Sequence, residues 1–386
     1  MMRRFNINCK IITPLFMGGA KQQAELRTQS MNGVLRWWFR VAGGSFEDEK
    51  RIFGWAGETS NQGLVRLFIK HIPFNTFNFT AEEQGYNYLG FSLKMTKRQG
   101  VPQNKTFELI IRFHPKAKDD DIKKFFCALW LAFNLGNFGS RARRGFGSIK
   151  IEKIIENEKY ITNDCFGLSF VPSGDLKNWV KTNLDRIKNI LNPSPRSDIP
   201  YVFDNFGIYH LQKSAFNNWR NWKNDVQKGR GGGYLKNSWG GSNINNWKEL
   251  LDFMGFLLMA YRSYRNPDYD NAKNILQKQG VNNPVFERPI FGLPLNFYFS
   301  SLRKGDMVHL KQGNETLRRA SPLMIKIIET QNDHEGLFIV MKSTFMPPNS
   351  KLTFSNKDVN LPSDNLWKAL DNFISTLERN NLIRRI

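Results

Sequence analysis

Apolar and polar residues alternate from Phe5 to Ile12 (FNINCKII), the period-two pattern of a half-buried strand. After a Gly-containing loop, Ser30 is placed to cap a helix that runs through Val41. Gly63 to Ile72, Tyr88 to Met95 and Thr106 to Phe113 are rich in Phe, Leu, Ile and Val and predict three further strands. The run DDDIKKFFCALWLAFNLG puts acids into the first turn of a helix and Gly136 at its end, the polarity a helix dipole favours. Ser148 to Ile155 reads as another strand. The order is β-α-β-β-α-β with additional pieces, the split-βαβ unit of ferredoxin-like domains.

The second half repeats this theme less cleanly. Asp175 to Leu191 and Asn246 to Tyr264 read as helices, Phe291 to Phe299, Ser321 to Ile328 and Leu337 to Phe345 as strands, and Asp364 to Asn380 as a last helix. Residues 192–245 are rich in Asn, Gly and Trp and keep no period, which predicts a long insertion of functional or mobile character. A boundary near residue 160 divides the chain into domains 1–160 and 161–386. The expected fold is α+β: two tandem ferredoxin-like (RRM-like) domains with insertions.

A chain of 386 residues is long enough for two such cores, and 32 Phe supply bulky material for them. The charge balance changes the picture more. Lys and Arg number 56 against 34 Asp and Glu, a formal +22, which predicts attraction to a polyanion. The longest apolar run, Phe125 to Phe133, is far short of the ~20 residues that span a bilayer, so no membrane partner is expected. The opening MMRRFNINCKII has no continuous apolar core and does not read as a secretory leader. Cys9, Cys127 and Cys165 are widely spaced and odd in number, which suits a reducing cytoplasm and buried, inert thiols.

Catalytic signatures are sparse. GxxxxGK[ST], HExxH and GxSxG do not occur. The five histidines, His71, His114, His210, His309 and His334, form no metal-spaced cluster, so neither a metal nor another cofactor is expected. The triplet Asp119–Asp121 fits a helix start better than a metal site. His210, after Tyr209 and before Lys213, is a candidate general base for metal-independent RNA cleavage. An ordinary, partly buried histidine is the commoner outcome for such a residue.

Basic clusters interleaved with glycines and aromatics carry more. The first holds Lys21, Arg27, Arg36 and Arg40 against Glu25, and the second Lys94, Lys97 and Arg98. The third is GNFGSRARRGFGS, residues 136–148, with Arg141, Arg143 and Arg144. The fourth, residues 213–236, sets six cations and two tryptophans against Asp225. Glycines let backbone N–H groups approach phosphates, guanidinium forks grip phosphate oxygens, and aromatics stack on unpaired bases. Any one cluster is as readily a solvated basic face. Four of them with a surplus of +22 favour a single-stranded RNA ligand held through phosphates and stacking.

Arg144 to Ile151 (RGFGSIKI) approaches the RNP1 octapeptide, but Ser148 stands where a stacking aromatic belongs and the segment follows the second helix. A Gly-rich loop before the last strand of a ferredoxin-like unit instead resembles the RAMP superfamily, the RNA-binding proteins of CRISPR effector complexes. Within it the chain resembles in particular the first RAMP subunit of the type III-B (Cmr) complex. TPLFMGGA at 13–20, ELRTQSMNGVLRWWFR at 25–40, GNFGSRARRGFGS at 136–148, FGLPL at 291–295 and RRASPLMIKI at 318–327 carry the resemblance, in that order. It implies tandem ferredoxin-like domains in a non-catalytic, RNA-binding subunit near the 3′ part of the guide RNA and the target paired with it, among other effector subunits. The alternative, also with RAMP precedent, is a metal-independent endoribonuclease that processes repeat RNA. The expected contacts are the cations of the first three clusters, with Gly145 and Gly147 shaping the loop. Arg318 and Arg319 are the counterparts in the second domain, unless they cap structure or meet a neighbouring subunit.

The opening helix poses a question of its own. Met31, Val34, Leu35, Trp37, Trp38, Val41 and Ala42 cover most of its circumference, so its tryptophans read as core. A stripe of Asn32, Arg36 and Arg40 remains. Like charges at i and i+4 repel by a few tenths of a kcal/mol, and no acid on the helix relieves them. The stripe predicts an external anion.

Overall fold

The computed structural model describes residues 3–386 except 21–22, 58–59, 72, 158, 162–163, 196–197, 228–237, 264 and 332. Arg4–Ile11 lies inside a five-stranded antiparallel sheet ordered Val65–His71, Thr106–Phe113, Arg4–Ile11, Ile149–Glu156, Lys159–Ile161. Its alternation sends Phe5, Ile7, Cys9 and Ile11 into the core. The helices Thr28–Val41 and Asp119–Asn134 lie side by side and contribute Met31, Leu35, Trp38, Phe125, Phe126 and Leu129 to the same core.

Several expectations change, among them the helix start, which lies at Thr28 and leaves Ser30 inside the first turn. Tyr88 to Met95 is not a strand: Gln84–Met95 is a helix. It buries Tyr86, Leu89, Gly90 and Leu93, a three-to-four-residue spacing that the β-favouring composition of the segment hides. Residues 192–245 are not simply an insertion either. Phe206–Leu211 is an interior strand of a second antiparallel sheet, ordered Leu323–Glu329, His334–Met341, Phe206–Leu211, Ile383–Arg385. The strand is only six residues long, and its Asn- and Gly-rich flanks blur its period. In chain order, the four strands of this sheet and the first four of the other are both laid second, third, first, fourth. A third sheet, Leu295–Phe299, Lys304–Gln312, Ser350–Phe354 and Lys357–Val359, accompanies the second.

The halves are stitched along Leu323–Glu329. Ile325 N donates to Arg143 O (3.3 Å) and Asn137 Nδ2 to Ile325 O (2.8 Å). Lys10 and Lys150 both clasp Glu329, at 2.8 and 2.9 Å. Lys326, 2% exposed, donates to the carbonyls of Phe133 (2.7 Å) and Gly136 (2.8 Å) at the end of the Asp119–Asn134 helix. Burial pushes this ammonium down to about 7, and those carbonyls at the negative helix end are what make a cation tolerable there.

A second junction places side chains for the site. The Gln84–Met95 helix meets the Trp247–Arg262 helix at two glycines. A Cβ on Gly85 would stand 1.9 Å from Asp252 O, and one on Gly255 2.3 Å from Gly85 O. Backbones can approach this closely only without side chains between them. At the same crossing Asp252 accepts from Tyr86 N (2.9 Å) and Trp239 Nε1 (2.7 Å). The contact brings Tyr88 on one helix against Arg262 on the other, 2.6 Å from Arg262 Nη1 to Tyr88 Oη.

Candidate nucleic-acid interface

Residues 136–148 form no free loop but one wall of the seam between the halves. Gly145 (φ +84°) and Gly147 (φ +76°) take the left-handed conformation that side chains resist. A Cβ on Gly145 would lie 2.4 Å from Leu251 Cδ1, and one on Gly147 1.9 Å from Phe138 O. Thr13 Oγ1 donates to Gly145 O (2.7 Å) and accepts from Ser148 N (2.9 Å), which fixes the turn from the opposite side. The locked turn aims Arg141, Arg143 and Arg144 into a cleft of about 800 Å³. Tyr88, Phe91 and Arg262, then Arg288, Arg319 and the segments 291–296 and 320–321 complete its lining.

Among the described residues, six arginines line this cleft and no Asp or Glu does. Their contacts are with neutral groups. Arg141 Nε donates to Leu89 O (2.8 Å), Arg143 Nη1 to Ser321 O (2.5 Å), and Arg319 Nη2 to Ser343 Oγ and Thr344 O (both 2.8 Å). Arg143 also lies 5.3 Å from the Trp37 ring and Arg288 4.6 Å from that of Phe297. Arg144 Nη1 and the Nε atoms of Arg262, Arg288 and Arg319 are buried with no hydrogen-bond partner among the described residues. Two acids outside the lining are engaged with other groups, and Asp268 also acts on Arg288. Asp268 accepts from the backbone of Glu287 (2.7 Å) and Arg288 (2.9 Å), and Glu287 is paired with Arg265 (2.8 Å).

The charges register this crowding. Desolvation first and Arg262 second push Arg144 down to about 9 and Arg288 to about 10. Desolvation and then Arg319 bring Arg143 to about 10. All stay well above neutrality and remain charged. Burial would raise the Tyr88 phenol, but Arg262, Arg144, Arg288 and Arg141 outweigh it and draw it down. Asp268 offsets part of this for Arg288, but buried cations with so little counter-charge are costly, and an anion entering the cleft relieves that cost while filling the orphan donors.

The other expected residues are dispersed. The unpaired stripe on the opening helix is corrected. Arg36 Nε and Nη2 donate to Glu49 Oε1 (3.0 and 2.9 Å), and Arg40 Nε and Nη2 to Oε2 and Oε1 (2.7 and 2.5 Å). Glu49 is 1% exposed, on the following helix Phe46–Phe53. Burial would raise its carboxyl, but Arg40 and Arg36 hold it below the usual range. The relieving acid thus comes from a helix packed alongside, not from the stripe's own. Arg27 faces Glu25 at 3.7 Å. Lys94 and Lys97 are exposed at the end of the helix that carries Phe91, with Arg98 half-buried after them. Arg318 is exposed and outside the cleft lining. Lys21 and residues 228–236 of the fourth cluster lie outside the described residues.

In the rest of the fourth cluster, Trp219 (4% exposed) and Trp222 (0%) are core and present no stacking face. Lys213 pairs with Asp333. His210 Nε2 lies 2.8 Å from Glu335 on the neighbouring strand, and His210 is not among the cleft residues. Sequence reasoning missed Arg262, Arg288, Tyr88 and Phe91. Arg288 had a signal, three residues ahead of FGLPL in ERPIFGLPL. Tyr88 and Phe91 were lost with the mistaken strand.

A sequence profile of the RAMP superfamily matches residues 8–150. The CRISPR system Cmr subunit Cmr1-2 of Pyrococcus furiosus is 32% identical over 176 residues, covering 38% of this chain and 93% of that protein. The crystal structure of Cmr1 from P. furiosus, in its apo form, superposes with a TM-score of 0.57 at 18% identity, over 99% of this chain and 98% of that one. A chain of the type III-B Cmr-beta complex, imaged by cryo-EM with cognate target RNA and AMPPnP in the presence of ssDNA, gives 0.52 at 13% identity, over 97% and 99%. At these identities the structural likeness speaks for the fold.

Proposed function

The chain belongs to the RAMP superfamily, in the Cmr1 line, and from that premise we propose that it is a non-catalytic RNA-binding subunit of a type III-B CRISPR effector complex. It works in the cytoplasm and holds single-stranded guide or target RNA near the 3′ part of the guide, beside other subunits of the complex. In this reading the two sheets with their shared strand order are tandem ferredoxin-like domains divided near residue 160, and the RNA enters the seam between them. The observation that carries it is the cleft of six arginines with no carboxylate in its lining. Arg141, Arg143, Arg144 and Arg319 are its core, joined by Arg262 and Arg288. Lys94, Lys97 and Arg98 extend the basic track from the Phe91 rim. Arg27 and Arg318 are outlying contacts.

His210 serves structure in this account, through Glu335. The test is titration of the purified chain with a single-stranded RNA over a range of salt. Each phosphate neutralised contributes a slope of about −0.7 in log K against log salt, so three or four contacts give about −2 to −3. Affinity that ignores salt contradicts the proposal and leaves a protein scaffold. Repeat RNA incubated with the chain in EDTA is expected to stay intact, and cleavage abolished by His210→Ala would make it an endoribonuclease instead.

A further inference from the structure

Most sheet edges among the described residues are short or covered. Lys159–Ile161, Ile383–Arg385 and Lys357–Val359 have three residues each, and Leu295–Phe299, with five, flanks the arginine cleft. Leu323–Glu329 has seven, but the seam takes it up through Arg143 and Asn137. Val65–His71 is equally long and is paired on one side only, with Thr106–Phe113. It holds no Pro or Gly, and its register runs without a bulge. Exposed edges are normally shortened, bulged or interrupted by proline, because their free N–H and C=O groups template a further strand.

The ladder fixes which groups are free. His114 N donates to Leu64 O (2.8 Å) and Phe113 N to Arg3 O (3.0 Å). Continued in antiparallel alternation, these bonds make Arg66–Arg112, Phe68–Ile110 and Lys70–Glu108 the hydrogen-bonded pairs. The N–H and C=O of Val65, Leu67 and Ile69 therefore turn outward. The side chains of these three face the first core and are only half-buried against it, an apolar shoulder that an added strand would cover. Arg66, Phe68 (41% exposed) and Lys70 stand on the opposite, open face. Arg112 lies 4.9 Å from the Phe68 ring, and its buried Nε has no hydrogen-bond partner among the described residues. Glu108 is the one acid on the open face of these two strands and is in register with Lys70, so the cationic excess centres on Arg66 and Arg112.

A second copy of the chain does not suit this edge. Two-fold pairing about Phe68 would set each Arg66 opposite the other copy's Lys70, and like charges directly opposite repel. We propose that Val65–His71 is a docking edge for an extended segment of a different protein, with acidic residues against Arg66 and Lys70 and an apolar one against Phe68. Backbone bonds to Val65, Leu67 and Ile69 supply the affinity, and the alternate side chains select the partner. The inference is independent of the RNA reading of the cleft, which the salt titration tests separately.

The probe is the capped peptide Thr-Glu-Val-Leu-Val-Glu-Thr, whose palindromic order serves either strand direction. Calorimetric titration into the full chain is expected to show saturable binding. Hydrogen exchange at the Leu67 and Ile69 amides should slow by about tenfold or more, since a bonded amide exchanges only on opening. Leu67→Pro removes an outward donor and no bond of the existing ladder, and should abolish binding; thermal melting checks the fold. Should that variant unfold, Arg66→Glu serves instead. It is expected to weaken the Glu peptide about tenfold, or roughly 1.4 kcal/mol, and to strengthen binding of the same peptide with Lys in place of Glu. Binding that neither variant changes, or that leaves the Leu67 and Ile69 amides unslowed, overturns the docking edge. No binding at all also overturns it and leaves Arg66 and Lys70 as a guard against self-pairing. If no peptide binds but Arg66→Glu weakens binding of a single-stranded oligoadenylate, the face is an RNA surface and the inference falls.

Discussion

Reversing two charges at the bottom of the cleft, Arg144→Glu with Arg288→Glu, is expected to weaken single-stranded RNA binding by at least about 100-fold. Each charge-assisted contact is worth about 1.5–3 kcal/mol, and reversal replaces attraction with repulsion at both sites. The fold should survive, since the new carboxylates stand among Arg141, Arg262 and Arg319, which have no acid in the cleft lining. A control reversal at Lys177, exposed on the Leu176–Leu191 helix, should change affinity by less than about threefold. The neutral variant Arg144→Met should also bind RNA poorly yet melt at a higher temperature than wild type; Arg288 is left in place because the buried Asp268 faces its charge. Replacing a buried, unfavourable charge by a well-packed apolar residue is often stabilising, by about 1–4 kcal/mol in the best cases. Weaker binding with higher stability is the signature of charges kept for a ligand. A double variant that loses binding only because it unfolds would count against this.

The largest expected effect on stability lies elsewhere, at Glu49. Glu49→Gln leaves Arg36 and Arg40 facing each other on one helix with only the exposed Asp198 acting on Arg40, and is expected to cost about 3 kcal/mol in denaturant unfolding. That is the low end for breaking a buried pair, because the arginines are 23% and 36% exposed and water recovers part of the loss. Arg36→Glu with Arg40→Glu would gather three carboxylates in one place and should unfold the region around the first sheet, not selectively release RNA. A Glu49→Gln change of under about 1 kcal/mol would show that the arginines do not depend on it, and would restore them as candidates for RNA contact.

The first sheet was largely legible because its strands alternate over eight residues, as Arg4–Ile11 and Thr106–Phe113 do, and its second helix is apolar and well bounded. What was hidden depends on distance along the chain. Glu49 reaches Arg40 from the next helix, and Arg288 reaches the cleft of Arg144 across the fold. Gln84–Met95 and Phe206–Leu211 were misread because composition in one and brevity in the other masked the period. In the third cluster the residue types pointed to a basic site, whereas its geometry, a clamped wall of the seam in place of an open loop, depends on distant partners such as Lys326, Asn137, Ile325 and Thr13.

The central claim is that RNA lies in the arginine-lined seam between the two halves. Crosslinking mass spectrometry on the assembled complex, with thiouridine placed along the 3′ part of the guide and the target strand present or absent, tests it most directly. The account predicts crosslinked peptides carrying Tyr88, Phe91 and the 291–296 segment. Crosslinks confined to the Arg36–Arg40 face or to residues 213–227, with none in the seam, would contradict it.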